Sequence, residues 1–194
     1  MYCIIHNNKI VAGPQQRPAV YNGIKNFNFL SNEELKTHGW YPVIEVNSQY
    51  DPRYQTRSKS QLDFDGEQIT ATYVVTDIPI ETVREKKIKE LAQKRWEVET
   101  SGIDLGDSTI LTDRESQAQI SSAYAAAKNG LLTSLNFKSA NGWIVLTSEQ
   151  MIYIGEAVYT HVQNCFNKEK EHYDNIMNLQ TSLEIVEYNI EEGW

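Results

Sequence analysis

Cysteine is scarce in this sequence, which argues against a fold held together by disulfides. Only Cys3 and Cys165 occur among the 194 residues, and we expect them to lie in separate modules. Small domains that depend on disulfides carry several cysteines at short spacings. We therefore expect two free thiols and a protein that folds in a reducing compartment.

Long apolar runs are missing as well. No stretch approaches the roughly 20 apolar residues that a membrane-spanning helix needs. The opening residues, MYCIIHNNKIVAG, also lack the basic segment and long apolar core of a signal peptide. These two absences predict a protein that is made in a cytoplasm and has no membrane partner.

Positive charge is in the minority. Lysine and arginine number 18, aspartate and glutamate 26, and the formal net charge at pH 7 is −8. An acidic chain without a dense basic patch repels the phosphate backbone of nucleic acids. We therefore expect no nucleic-acid partner.

The apolar and turn patterns that are present predict an α+β protein. We expect a β-rich module over residues 1–78, a connector helix over 79–97 and a C-terminal α+β domain over 98–194. In that last domain, β-hairpins would pack against two main helices. The sequence Asn141-Gly142 favours a type I′ hairpin turn, and a second hairpin is expected to turn at Gly106-Asp107.

Four capping boxes mark expected helix starts, because a Ser or Thr is followed three residues later by Glu or Gln. They are Ser31 with Glu34, Thr112 with Glu115, Thr147 with Gln150, and Thr181 with Glu184. The third predicts a helix to about residue 178, roughly 45 Å long at 1.5 Å per residue. Such a helix would project from a module of this size and contact a partner, unless a break near residues 164–167 folds it back.

One side of the predicted connector helix is basic. The residues on that side are Arg84, Lys86, Lys87, Lys89, Lys94 and Arg95. We interpret this side as a solvated face. The alternative is a surface that docks an acidic partner.

The stretch THVQNCFNKEKEH, residues 160–172, places His161, Cys165, Glu169 and His172 close to one helix face. A metal site is one interpretation, but a di-iron bundle needs two Glu-x-x-His motifs and further carboxylates. A nucleophilic Cys165 is another, but an apolar surrounding raises the pKa of a thiol. We favour a packed helix face, and we predict no catalytic, cofactor-binding or metal-binding residue.

Glu169 is the charged side chain of that face that needs an explanation, because an unpaired buried carboxylate is costly. We predict a partly buried ion pair with an arginine, whose planar group can bind both carboxylate oxygens. Arg114 is the favoured partner and Arg95 the alternative. Replacing Glu169 by alanine should then destabilise the fold strongly, whereas His161 and His172, at the edge of the face, should tolerate alanine.

The second half of the chain resembles a known family. The segments ILTDRESQAQISSAYAAA, FKSANGWIVLTSEQM, AVYTHVQNCFNKEKEHYDNI and the closing EEGW carry the resemblance, over about residues 95–194. They are similar to a C-terminal domain of unknown function found in tail and tail-fibre-associated proteins of tailed bacteriophages. GWYPVIEV and YDPRYQ resemble the front part of such proteins, with less specificity.

The resemblance implies a virion structural protein of the phage tail, made in the host bacterial cytoplasm. It would be a fibre-associated or baseplate adaptor that binds tail-fibre or baseplate proteins, and self-association stays open. The first alternative is a tail-fibre assembly chaperone that is absent from the mature virion. A metal-dependent enzyme is the second and least favoured alternative. The family carries no established catalytic residues, so none is transferred to this chain.

Overall fold

Two structural units divide the chain in the computed structural model, which describes residues 1–46, 49–106 and 108–194. The first unit is Met1–Pro79 and the second is Ile80–Trp194. The predicted α+β class is confirmed, since the first unit is rich in strands and the second combines helices with hairpins. Asp107, which we predicted in a hairpin turn, lies outside the described residues.

The first unit is built around a five-stranded sheet. The strands of the unit are β1 (Tyr2–His6), β2 (Lys9–Gln15), β3 (Val20–Tyr21), β4 (Ile24–Lys25), β5 (Trp40–Val46), β6 (Gln55–Arg57), β7 (Gln61–Phe64), β8 (Ile69–Thr72) and β9 (Val75–Asp77), and β3 with β4 and β6 with β9 form two further small sheets. The sheet order is β2-β1-β5-β8-β7, and only the β5–β8 pairing within it is parallel. Asn7 and Asn8 both have positive φ, 50° and 61°, as a tight turn between β1 and β2 requires.

One short helix, α1 (Asn32–Thr37), covers the core of the first unit. Ser31 and Glu34 form the predicted capping box at its start. Phe27, Leu35 and Trp40 are almost completely buried and form the centre of this core. β6 pairs with β9, although its segment is polar and rich in turn residues and gives no strand signal in the sequence.

The second unit contains the long helices. Its elements are α2 (Ile80–Glu99), β10 (Ile103–Leu105), β11 (Ser108–Ile110), α3 (Arg114–Lys128), β12 (Ser134–Ser139), β13 (Gly142–Thr147), α4 (Ser148–Asn178) and α5 (Ser182–Glu187). The predicted connector helix is α2, an unbroken helix that packs against α4 and α5. We therefore assign it to the second unit.

Helix α4 is unbroken over 31 residues, and no break occurs near residues 164–167. Four of its buried side chains recur every seven residues, at Met151, Val158, Cys165 and His172. Side chains at this spacing lie on one face along the whole helix. That face packs against α3 and α2. The length of α4 therefore does not by itself require an outside partner, contrary to our argument from the sequence.

Two local predictions were wrong. The N-cap of helix α3 is Asp113, whose carboxylate accepts hydrogen bonds from the backbone N–H groups of Glu115 and Ser116. Thr112 is buried instead, and its hydroxyl accepts a hydrogen bond from the Gly102 backbone at 2.9 Å. An aspartate one residue later, with a better position for capping, explains the shift.

The β12–β13 hairpin is present, but its turn is not the predicted type I′ turn at Asn141-Gly142. Ser139 pairs with Gly142, so Ala140 and Asn141 are the two central residues. Neither has a positive φ, which a type I′ turn demands at both positions. Gly142 alone has a positive φ, 125°, at the position after the turn where glycine is favoured.

Gly155 of α4 lies directly against Tyr124 of α3. A Cβ added at this position would lie 2.5 Å from Cδ2 and 2.9 Å from Cβ of Tyr124. We expect Gly155→Ala to cost about 1–3 kcal/mol through overpacking, partly offset by the better helix propensity of alanine, about 1 kcal/mol. Urea unfolding should show a net loss of stability. In a Tyr124→Ala background, Gly155→Ala should cause no further loss of stability. If Gly155→Ala lowered the stability of the unchanged protein and of Tyr124→Ala by the same amount, the contact would be contradicted.

Candidate functional site

A buried carboxylate lies where α2, α3 and α4 approach one another. Glu99, the last residue of α2, has no exposed surface. Arg95 Nη1 donates to this carboxylate from one turn earlier on the same helix. Arg114 Nη2 lies 3.1 Å from Glu99 Oε1, and Gln117 Nε2 donates to the same oxygen at 3.1 Å. We call Arg95, Glu99, Arg114, Gln117 and Glu169 the charge junction.

Glu169 pairs with an arginine, as the sequence suggested, but the partner is Arg95 rather than the favoured Arg114. Arg95 Nε lies 3.2 Å from Glu169 Oε2, and the carboxylate side chain is 23% exposed. Arg114 lies at the start of α3, where it binds Glu99. Arg95 therefore bridges two carboxylates, one on its own helix and one on α4.

Sequence reasoning did not identify Glu99 as the most deeply buried charge. The sequence did contain one signal for a paired carboxylate. A negative charge at a helix C-terminus interacts unfavourably with the helix dipole. Such a residue needs nearby cations to be stable there, and Arg95 lies one turn away. Its burial could not be foreseen, since it depends on how α3 and α4 pack around the end of α2.

His161 and Cys165 lie beside the charge junction. His161 Nε2 is 3.2 Å from the Glu99 carbonyl oxygen, so this nitrogen donates to it, and it is 3.9 Å from Cys165 Sγ. Burial raises the pKa of the Cys165 thiol, and the Glu99 carboxylate adds to the rise. The thiol therefore stays protonated at neutral pH. Within residues 1–46, 49–106 and 108–194, no group of three or more His, Cys, Asp or Glu side chains is arranged to hold a metal.

Replacing Glu169 by alanine tests its role in the junction. Arg95 would keep Glu99 as a partner, so we expect a moderate loss of about 1.5–3 kcal/mol, the usual range for a hydrogen bond to a charged group. Our expectation from the sequence was larger because it treated the pair as isolated. Chemical unfolding of Glu169→Ala beside an exposed control, Glu171→Ala, measures the difference. Equal midpoints for the two variants would contradict the pairing.

His172 is buried, which corrects its predicted place at the edge of the helix face. Its Nε2 donates to the Glu192 carbonyl at 3.0 Å, and its Nδ1 lies 2.8 Å from the Tyr188 hydroxyl. Asn175 donates to that hydroxyl at 3.0 Å, and the Trp194 ring stacks on the imidazole. His172 therefore holds residues 179–194, which we call the C-terminal segment, against α4.

The basic side of α2 is not simply solvated, since three of its cations bind the C-terminal segment of the same unit. The contacts are Arg84 Nη2 to the Leu179 carbonyl at 3.0 Å, Lys87 Nζ to the Val186 carbonyl at 3.4 Å and Lys94 Nζ to the Glu191 carboxylate at 2.5 Å. Long basic side chains can pack their stems while placing the charge at polar groups. These residues are therefore part of the packing of α2 on α4 and α5.

Among the grooves on the surface of the second unit, two have exposed aromatic side chains beside them. One, of 680 Å³, lies between α3 and α4 and is lined partly by Tyr124 and Tyr159. The other, of 420 Å³, lies between α3 and β12 and is lined partly by Leu111 and Trp143. Tyr159 is 70% exposed and Trp143 73% exposed. Exposed aromatic side chains beside grooves are typical of protein-binding surfaces.

None of the helices in the described part of the chain has the length and apolar character needed to cross a bilayer. Comparison with curated proteins and with solved structures gives no match for this chain. Comparison with protein-family models matches residues 82–191 to a family described as "Domain of unknown function (DUF4376)". The match covers more than half of the chain and extends from α2 to the residues after α5. The chain therefore belongs to the DUF4376 family.

Proposed function

We propose that this protein is a structural component of a bacteriophage tail, a fibre-associated or baseplate adaptor that acts through protein–protein contacts and not through catalysis. The observation that carries the binding role is the exposure of Trp143 and Tyr159 beside the two grooves of the second unit. Large apolar rings at a surface lose contact with water when a partner covers them, and this loss favours association.

The assignment to a phage tail comes from the sequence resemblance over about residues 95–194. That region overlaps the stretch that matches the family model, residues 82–191. The charge junction serves this function indirectly, because it holds α2, α3 and α4 together and α3 forms a wall of both grooves. Its carboxylates are paired with arginines, so we assign it a structural role.

Co-purification tests the adaptor role. The tagged protein would be co-expressed with the tail-fibre and baseplate proteins of a phage that encodes it. We expect at least one of them to co-elute, and we expect Trp143→Ser/Tyr159→Ser to reduce its recovery several-fold. Leu131→Ser is the matched control, because Leu131 is 78% exposed but lines neither groove. Equal recovery with both variants, or no co-eluting protein, would contradict the proposal.

A further inference from the structure

The outer edge of β12 has backbone groups that the hairpin does not use. β12 pairs with β13 in a continuous antiparallel register that closes at Ser139 and Gly142. Residues in such a ladder point their N–H and C=O groups alternately toward and away from the partner strand. Because Ser139 faces β13, Asn136 and Lys138 direct their backbone groups outward. In the described part of the chain, β12 forms a sheet with β13 alone.

The neighbouring strand approaches β12 only at the tip of the hairpin. Thr109 of β11 accepts a hydrogen bond from the Ala140 backbone at 3.1 Å, and its own N–H donates to the Asn141 side chain at 3.3 Å. The chain then turns away into α3. This divergence leaves the groove of 420 Å³ beside Asn136 and Lys138.

Helix α3 forms the opposite wall of this groove. Ser116, Gln119 and Ala123 line it, at steps of three and four residues that place them on one helix face. Leu111, Phe137 and Trp143 add apolar surface. A groove with a strand edge on one side and a helix on the other can accept an added strand, with backbone hydrogen bonds on one side and side-chain contacts on the other.

We propose that the groove between β12 and α3 binds an extended segment of a partner protein, which adds to β12 as a further strand. This inference deepens the proposed adaptor function and rests on it. The outward backbone groups of Asn136 and Lys138 recur every second residue, which is the repeat of a β-strand. They supply the main-chain hydrogen bonds, and Leu111 and Trp143 contact the apolar side chains of the segment.

The size and charge of the groove define the segment. Its volume, 420 Å³, is in the range of cavities that hold a drug-sized ligand. A few residues of a single extended chain fit such a space. Lys138 is the charged side chain among the described residues that line it. The segment therefore alternates apolar and small polar residues and carries one carboxylate near Lys138.

A defined set of peptides tests the proposal. The probes are fluorescent pentapeptides Thr-X-Thr-X-Glu, with X drawn from Val, Ile, Leu, Phe and Tyr, and fluorescence anisotropy on the full chain reports binding. We expect at least one to bind, and we expect one of its two copies, N-methylated at the X residues or at the Thr residues, to bind at least about tenfold more weakly. Binding by no member of the set, or equal binding by both N-methylated copies, would overturn the proposal.

Two proline variants locate the site. Asn136→Pro removes an outward N–H from β12 without removing a bond to β13, so the hairpin should tolerate it. Val145→Pro is the matched control, because Val145 pairs with Asn136 and its N–H points outward on the other edge of the hairpin. We expect about a tenfold loss of peptide affinity with Asn136→Pro and none with Val145→Pro. Equal affinities of the two variants would overturn the proposal.

A second pair of variants avoids changes to the backbone. Ala123→Phe fills the groove from α3, and Ala125→Phe places the same ring on an exposed part of that helix. We expect only Ala123→Phe to abolish peptide binding. Unchanged peptide binding by Ala123→Phe would overturn the proposal. A concentration-dependent dimer of the unchanged protein that is lost in Ala123→Phe would also overturn it, because a second copy would then occupy the groove. If Ala123→Phe abolished peptide binding but left the recovery of tail proteins unchanged, the tail proteins would not bind through this groove. That result would contradict the proposal for the groove and leave the adaptor function standing.

Discussion

Replacing Glu99 by alanine is expected to lower the free energy of unfolding by about 3–5 kcal/mol, the usual result of removing one member of a buried ion pair. The Glu99 carboxylate is fully buried and is bound by Arg95, Arg114 and Gln117. Its removal would leave the mostly buried Arg95 guanidinium with Glu169 as its remaining carboxylate partner. It would also open a space where three helices meet.

Urea unfolding followed by circular dichroism, which reports the helices of the second unit, measures this effect. Glu97→Ala is the matched control, because it removes the same side chain from an exposed position of α2. We expect a clearly lower midpoint for Glu99→Ala and almost no change for Glu97→Ala. If the two variants unfolded at the same urea concentration, the charge junction would not stabilise the fold.

His172→Ala should produce the second-largest effect, a loss of about 2–4 kcal/mol. The hydrogen bonds left unpaired cost about 1–3 kcal/mol, and the lost stacking on Trp194 adds about 0.5–1.5 kcal/mol. The Tyr188 hydroxyl and the Glu192 carbonyl both lose their imidazole partner. The C-terminal segment should therefore separate from α4 more readily.

Hydrogen exchange measured by mass spectrometry can follow this segment directly. We expect faster exchange over residues 182–194 in His172→Ala, together with the loss of stability. His161→Ala is a useful comparison, because the hydrogen bonds of His161 in the described part of the chain go to the Glu99 carbonyl on α2 and to Cys165, and not to the C-terminal segment. Equal exchange in the two variants would show that His172 does not hold the segment.

The sequence predicted the elements whose signals are local. The boxes at Ser31, Thr147 and Thr181 all mark real helix starts, because a capping box depends on residues three positions apart. The helix predicted from Thr147 extends to Asn178 without the alternative break near residues 164–167. Contacts within one turn of helix therefore placed these three helix starts, whereas the fourth box, at Thr112, was displaced because Asp113 caps α3 instead.

Contacts between elements could not be predicted in the same way. Arg95 and Arg114 were both candidates for Glu169, and only the packing of α2 along α4 decides between them. The burial of His172 agrees with its place on the seven-residue repeat of α4, but its partners could not be predicted, because they lie in a C-terminal segment that folds back onto α4. Glu99 was missed because an acidic residue at the end of a charged helix looks solvated until α3 covers it.

Quantitative mass spectrometry of purified virions tests the central claim, that this protein is a structural part of a phage tail, most directly. Particles of a phage that encodes the chain would be purified by density gradient, and the protein would be counted relative to a tail protein of known copy number. We predict a fixed number of copies per particle, retained through repeated purification. Absence from the particles, with abundant protein in the infected cell, would contradict the claim and indicate the assembly chaperone instead.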